Sequence, residues 1–514
     1  MSSTTQTLSS LFDSAARAKG PAILFADESE RCSGHLALQS IRSLSGGLQA
    51  MGVGKQDRVA FLCDSSVRHA LSFFACQAIG AIPCALHARS TAVDIARALQ
   101  WLEARVLVVH ESYHKLAVEA VAAGGQTVPM LILDPTQVQE GMSSYSDLVD
   151  RQAKPDTISA VDPDKPAMII LSSGTTGEPK GVVHSQRTLY ASAMAGREVF
   201  GGINNDDSVI VVMAPSVAAW NHVCFPFLAG GAKIVFNKGF DAGRYISTIN
   251  RQGISHAALV PTVWRRVLAA LRDKNELPGL RTVFFSGEAG TADFVRAIRE
   301  KLPAVDIRSA YLSSEGGDAS ACVTDSKLIA TGSSATGKPL AACRLRIIDP
   351  EGGIDDEMTA GETGEIAVSS PSLALGYWKN ESLSKRRFIG GWWRSGDLGY
   401  IDTEGNLTIA GRNDNMIISG GIKVHAEEIE AALMQHPRVS LAAVVGRADS
   451  EWGQRIEAYV VSDGETDMEA ILRYCRERDL LPAFKLPKQI YFRDSLPTGA
   501  TGKLFRSGLL ESKG

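Results

Sequence analysis

Two hydrophobic rhythms alternate along most of the chain. Short apolar runs sit at Arg58–Leu62, Ala81–Ala85, Arg105–Val109, Ser208–Met213, Lys233–Phe236, His256–Val260 and Thr282–Phe285. Between them lie longer stretches with apolar residues at three- and four-residue spacing, such as Ser66–Gly80 and Thr91–Glu103. The runs read as strands buried on both faces and the longer stretches as helices covering them, which predicts βα units and largely parallel sheet. The polar stretch Gln137–Pro163 reads as a surface connection. After Leu340 the texture changes: Cys343–Ile348, Gly364–Val368 and Gly405–Ala410 are short runs between Gly and Asp turns, as in a small antiparallel or barrel-like unit. A polar break at Arg412–Asn415 precedes helix Ala426–Gln435, strands Val439–Val445 and Ile456–Val461, and helix Asp467–Arg478. This tail has enough elements for its own small α+β domain.

Composition narrows the class. The 514 residues are 45% apolar and 21% charged, an ordinary balance for a globular chain of a few domains. With 53 Lys+Arg against 57 Asp+Glu the net charge is −4, so no basic excess points to nucleic acid or acidic lipid. The eight cysteines are scattered, none at CxxC spacing, which argues against a zinc or redox pair and suits a reducing, cytoplasmic setting. The N-terminus has no basic start followed by an apolar core, so it does not read as a secretory signal. The apolar stretch Val209–Phe236 is broken by Pro, Asn, His and Gly residues and reads as core, not as a membrane span. A homodimer is compatible with the chain.

Four segments carry chemistry. Ser172-Ser173-Gly174-Thr175-Thr176-Gly177-Glu-Pro-Lys180-Gly follows an apolar run and precedes a helix. Its glycines admit an anion to the backbone, its hydroxyls donate, and Lys180 adds a compact charge for phosphate; the Walker spacing is absent. Ser309-Ala310-Tyr311-Leu312-Ser-Ser314-Glu315 combines an aromatic, hydroxyls and a carboxylate. Arg394-Ser-Gly-Asp397, followed by Gly411-Arg412, places a carboxylate at a Gly turn, where it can hold a ribose diol. The tail Thr498-Gly-Ala-Thr-Gly-Lys503 ends on a lysine. Each alone also reads as an ordinary turn.

Together, in this order, these segments resemble the acyl-adenylate-forming (AMP-binding) superfamily, in its acyl- and aryl-CoA ligase branch. Val260-Pro-Thr262, Trp393–Asp397 and Gly411–Glu430 add to the match, which covers nearly the whole chain. The resemblance implies an α/β fold: a large N-terminal domain of mixed βα layers with a small β-barrel-like unit (1–411), a hinge (412–415) and a small mobile α+β C-terminal domain (416–514). It implies ATP, Mg²⁺ and coenzyme A. A carboxylic acid attacks the α-phosphorus of ATP, and a thiol then displaces AMP. By the same resemblance Ser172, Ser173, Gly174, Thr175, Thr176, Gly177 and Lys180 would hold phosphate, and Glu315 and Thr175 would hold the metal. Ser314, standing where Thr is usual, would meet the α-phosphate. Tyr311 and the turn Gly287-Glu288-Ala289 would sandwich adenine, with Ser309 and Ala310 beside them. Asp397 would take the ribose hydroxyls next to Arg412. Lys503 would be the adenylation lysine, Asp414 the hinge, and Gly421 part of the pantetheine passage.

Trp452, Phe484 and Lys488 resemble the CoA-docking surface of bacterial chlorobenzoate-CoA ligases. The acyl pocket would be lined by Ala218, Ala219, Trp220, Leu312, Gly317 and Asp318. Leu312 replaces the usual glycine and would shorten the pocket, favouring a compact aromatic, cyclic or short-chain acid. Trp220 would offer a flat wall and Asp318 a polar contact. Two other readings are an adenylation enzyme that loads a carrier protein with an amino or aryl acid, and a non-catalytic nucleotide-binding protein. The absence of Asp between Ser208 and Phe240 weighs against an amino-acid substrate, and Lys180, Glu315, Asp397 and Lys503 together weigh against a non-catalytic protein.

Overall fold

The apolar runs become strands almost where the sequence sets them. In the computed structural model, which describes residues 6–125, 127–134, 142–150, 161–173, 179–288, 290, 292–318, 322–324, 336–498, 504 and 506–511, Lys233–Phe236 and Thr282–Phe285 are strands with the expected limits. Compactness divides the chain into two units: Met1–Ser172, Pro179–Arg344 and Val368–Trp393 in one, Ser173–Glu178, Leu345–Ala367 and Arg394–Gly514 in the other. The division falls earlier in the chain than Asp414, since Leu345–Ala367 and the chain from Arg394 onward group together.

The first unit holds two sheets among the described residues. One runs in the order Lys338–Pro339, Cys322–Thr324, Asp306–Tyr311, Thr282–Phe285, His256–Leu259, Ser208–Val211, Lys233–Phe236, Ile23–Ala26 and Arg31–Ser33. The other runs Gly376–Tyr377, Pro179–Ser185, Pro166–Ser173, Ile82–Ala85, Arg58–Leu62, Ala104–Val109, Met130–Ile132 and Met142–Ser144. From Ser208–Val211 through Asp306–Tyr311 the neighbours pair in parallel. The segments that follow Thr282–Phe285 and Asp306–Tyr311 therefore emerge on the same edge, where open α/β sheets place their ligands. The core is continuous aliphatic and aromatic packing, with Ile210, Trp264, Val283 and Ile307 at 0% exposure.

Part of the stretch expected to be a surface connection is ordered instead. Met142–Ser144 pairs in parallel with Met130–Ile132 as an edge strand, and helix Tyr145–Asp150 follows it. Tyr145 and Leu148 are buried; Leu148 sits where a side chain on Gly47 would stand, and the Arg68 guanidinium lies 5.0 Å above the Tyr145 ring. Two apolar contacts suffice to dock a six-residue helix, but they leave no periodicity to read.

The second unit contains an antiparallel hairpin of residues 394–401 with Leu407–Arg412, with residues 345–348 and 364–367 in the same sheet. Its other sheet is Ile422–His425, Met416–Ser419, Gly453–Ser462 and Val439–Asp449, with Gln489–Phe492 added in parallel. Helices Ala426–Leu433 and Met468–Glu477 cover it through Ile429, Leu433, Ile471 and Leu472.

Helices α1 (Gln186–Val199) and α2 (Ala218–Ala229) matter most for the site. Ser185 caps α1: its hydroxyl accepts from the Thr188 amide at 3.2 Å while Thr188 Oγ1 accepts from the Ser185 amide at 3.0 Å. The two helices touch through Gly196, where an added Cβ would lie 2.2 Å from Pro226 Cγ and 3.1 Å from Asp318 Oδ2. Gly196→Ala should therefore force the helices apart and lower stability by about 1–3 kcal/mol, read as a fall in urea midpoint. An unchanged midpoint would mean that the contact has slack.

Candidate active site

In the first unit, the site grows from the loop that follows Asp306–Tyr311. Ser309, Ala310 and Tyr311 finish that strand, paired with Phe285 on one side and with Thr324, Val323 and Cys322 on the other. The chain then turns sharply: the Gly316 amide donates to Ser313 Oγ at 2.9 Å and the Gly317 amide to the Ser313 carbonyl at 3.2 Å. Gly317 has φ +65°, a conformation that side-chain-bearing residues rarely adopt, and a Cβ there would meet Ser372 at 2.9 Å.

Two residues that the sequence did not single out hold this loop. His184, on Pro179–Ser185, lies 2.7 Å through Nε2 from the Ser314 carbonyl, and its Nδ1 is 3.2 Å from Thr188 Oγ1. A carbonyl only accepts, so Nε2 carries the hydrogen. Burial pushes the imidazole down to about 4, which keeps it neutral near pH 7. Tyr377 donates from its hydroxyl to Glu315 Oε1 at 3.0 Å. Burial and the adjacent Glu315 charge raise the phenol, so it stays a donor. Backbone closes the set, with the Ala374 amide on the Glu315 carbonyl at 2.8 Å. A lone His or Tyr far from its partner in sequence gives no motif, and that is why both were missed.

The other expected residues of this unit fall out as follows. Ser172 Oγ donates to the Lys180 carbonyl at 3.4 Å, joining the strand before the glycine-rich segment to the strand after it. Ser173 ends the strand Pro166–Ser173. Gly174, Thr175, Thr176, Gly177 and Ala289 lie outside the described residues, as does Lys503 in the tail. At the Gly287-Glu288 turn, Glu288 Oε2 accepts from the Thr262 amide at 3.0 Å and hydroxyl at 2.7 Å. That couples the turn to the first residues of α3 (Pro261–Ala270). Ala218, Ala219 and Leu312 are half-buried.

Two pocket expectations need correction. Trp220 is 1% exposed and does not offer a wall. Its ring is packed among His69, Phe73, Phe225 and Phe236, with centroids 5.1–6.4 Å away, because the largest apolar side chain of the segment gains most by full burial. Asp318 is wholly buried and serves protein partners: Oδ2 accepts from Ser192 Oγ at 2.8 Å, Oδ1 lies 2.9 Å from His222 Nδ1, and its amide donates to Ser192 Oγ at 2.9 Å.

In the second unit the Arg394–Asp397 turn is fixed residue by residue. Arg394 donates to buried Glu365 at 2.5 and 2.9 Å and to the carbonyls of Pro350 and Gly352. The Ser395 hydroxyl donates to the Ile366 carbonyl at 2.7 Å and accepts from the Asp397 amide at 3.0 Å. The Gly396 amide donates to Glu365 Oε1 at 3.0 Å. Asp397 pairs with Arg412 at 3.1 Å, directly opposite it in the hairpin. Asp414 lies in the short 3₁₀ turn Asn413–Asn415.

Further along, the same unit gathers three more of the expected residues. Trp452, 39% exposed, lies against the Gly420-Gly421 turn, and Lys488 Nζ sits 4.7 Å from its ring centroid. Phe484, 48% exposed, faces Lys485, which is bound instead to Glu428 at 2.6 Å.

Comparison with known proteins fits this geometry. Residues 11–378 match the AMP-binding enzyme family and residues 428–503 match the AMP-binding enzyme C-terminal domain, so the chain belongs to the AMP-binding enzymes. A 2-succinylbenzoate–CoA ligase of Bacillus licheniformis is 30% identical, covering 91% of this chain and 92% of its own. An indoleacetate–CoA ligase of Aromatoleum aromaticum is 31% identical, covering 90% of each. Among solved structures, the anthranilate CoA ligase AuaEII in complex with anthranoyl-AMP superposes with a TM-score of 0.86 at 26% identity, over 98% of this chain and 96% of that one.

The buried imidazoles make stability pH-dependent with a definite sign. His184, at about 4, and His69, at about 3, are both depressed by burial from about 6.5 in the unfolded chain. Below pH 6.5 the unfolded state binds more protons, so the stability present above 6.5 is lost as pH falls through the folded values. Urea midpoints should drop between pH 6.5 and 4. His184→Phe should lower the midpoint at pH 7 and flatten that slope; an unaltered slope would remove His184 from the acid transition.

Proposed function

We propose that this chain is an ATP-dependent carboxylic acid–CoA ligase that works through an acyl-adenylate and takes a compact, most often aromatic, acid. The observation that carries the reading is the alignment of nine-tenths of the chain with relatives named as CoA ligases of aromatic acids. The partners of Ser314, Glu315 and the Arg394–Asp397 turn support it.

The chemistry follows from charge. Adenylation brings a carboxylate to a triphosphate, so the site must align two anions and neutralise the charge that develops. In this reading Lys180 meets phosphate oxygens, Ser314 contacts the α-phosphate, and Tyr311 with the Gly287-Glu288 turn sandwiches adenine. Asp397 accepts from the ribose hydroxyls while Arg412 keeps its carboxylate oriented. Glu315 is the carboxylate for Mg²⁺, and the ion would supply neutralisation of phosphate charge. Among the described residues no group of three or more His, Cys, Asp or Glu could hold a metal by itself. Trp452 and Lys488 present a ring and an ammonium, the pair that a nucleotide base and phosphate require, and we assign them, with Phe484, to coenzyme A and Gly421 to the pantetheine path.

AMP release measured over a panel of benzoic, arylacetic, cinnamic and fatty acids, with and without coenzyme A, tests the reading. Thioester should form only when coenzyme A is present, and short aromatic acids should exceed twelve-carbon fatty acids. No AMP release with any acid would refute it. Lys503→Ala should abolish adenylation, by roughly 10²–10³-fold or more, while thioester formation from a supplied acyl-adenylate largely persists. Equal losses in both half-reactions, followed by stopped flow, would overturn the division of labour and with it the hinge role of Asp414.

A further inference from the structure

Helix α2 carries a polar group that its protein surroundings leave half satisfied. His222 is 8% exposed and faces Asp318 through Nδ1 at 2.9 Å. Asp318 is in turn fixed by the Ser192 hydroxyl from α1 at 2.8 Å. A carboxylate oxygen accepts, so Nδ1 carries a hydrogen, and in the neutral ring Nε2 is then the acceptor left for a ligand. Nε2 is buried and has no hydrogen-bond partner; one residue earlier, both polar side-chain atoms of Asn221 are buried and unpartnered as well. Unsatisfied buried groups are destabilising, so such a set persists where something else completes it.

The helix itself shows where that something enters. Ala218 and Ala219 lie four and three residues before His222 and share its face of α2. Side chains on a helix lean toward its N-terminus, so the imidazole points up beneath those two alanines. Both are half-buried and neither has a side chain beyond Cβ, so the way to the ring is not closed by α2 itself. Asp318 lies three residues after Glu315 on the same loop, which puts the His222 ring at the root of the segment that carries the reacting carboxylate's neighbours.

We propose that His222, set by Asp318 and Ser192, is the group that selects the acid, and that the acid carries a hydrogen-bond donor, a phenolic hydroxyl or an aromatic amine, at the end away from its reacting carboxyl. This rests on the acid–CoA ligase reading above and names its substrate class. Nε2 accepts from the O–H or N–H of the substituent. Asp318 fixes the tautomer that leaves Nε2 able to accept, and Ser192 holds Asp318, so these two are positioning residues. A methoxy group of similar size can accept but not donate, and it leaves Nε2 unpaired in a closed site.

The test is ATP–pyrophosphate exchange with matched sets: benzoic, 3- and 4-hydroxybenzoic, 4-aminobenzoic and 4-methoxybenzoic acids, and cinnamic with 4-hydroxy- and 4-methoxycinnamic acids. A donor-bearing acid should exceed both its unsubstituted and its methoxy analogue by roughly 10²-fold or more in kcat/KM. The hydroxy and amino arms tell phenol from amine. The paired replacement His222→Phe with Asp318→Asn, which leaves no buried lone carboxylate, should collapse that ratio to within about threefold. His222→Gln gives the same readout should the pair fail to fold, as judged by its thermal midpoint. Asp318→Asn alone should lower the ratio part of the way. A wild type that treats hydroxy, methoxy and unsubstituted acids alike, or variants that keep the wild-type ratio, would overturn the assignment of His222 while leaving the ligase reading in place. Exchange with none of these acids, nor with any fatty acid, would sink both.

Discussion

A carboxylate with no exposure to water has to find its partners inside the protein, and Asp318 finds them on two different helices. Transfer of an ionised group out of water is unfavourable unless hydrogen bonds replace the lost solvation. Ser192 of α1 and His222 of α2 provide them, so the loop after Asp306–Tyr311 cannot shift without breaking contacts to both helices. Gly196 makes this triangle sterically feasible, because any side chain there would collide with Pro226 and crowd Asp318. The placement of Ser314 and Glu315, four and three residues from this anchor, is inherited from it. The His184 contact to the Ser314 carbonyl and the Tyr377 contact to Glu315 finish the job locally.

Much of the fold was legible because strands buried on both faces leave an unmistakable apolar run between turns. Lys233–Phe236 and Thr282–Phe285 came out with the expected ends, and the α/β class followed from the alternation. Which sheet each strand joins was not legible. Strand partners such as Ile23–Ala26 and Lys233–Phe236 are separated by most of the first unit, and nothing in either run names the other. Met142–Ser144 and Tyr145–Asp150 were hidden for a different reason: each is too short to show a period. The turn of Gly405 also moved a strand, since Leu407–Arg412 begins after it.

The site divides in the same way. Contiguous residues that act together, such as Arg394–Asp397, were visible as a motif, and the bonds of each member explain why that order of residue types is needed. Residues that act alone were invisible. His222 meets Asp318 across 96 positions and His184 meets Ser314 across 130; a single histidine on an apolar stretch carries no mark of what it will face. The errors had a physical pattern too. Trp220 and Asp318 both lie beside the expected pocket, but large aromatic area drives one into the core and strong buried hydrogen bonds hold the other inward.

Both units solve one problem alike. In the proposed reading Glu315 and Asp397 each meet a ligand, and neither is left to lock its loop alone. Glu315 and Asp397 are each accompanied by a second acid that is buried and does the locking. For Glu315 the companion is Asp318. For Asp397 it is Glu365, which takes two bonds from Arg394 and one from the Gly396 amide. Breaking a buried pair of that kind typically costs about 3–5 kcal/mol, far more than an exposed contact such as Arg412 with Asp397 contributes. The rigid geometry is therefore maintained one to three residues away from Glu315 and Asp397, at Asp318, Arg394 and Gly396.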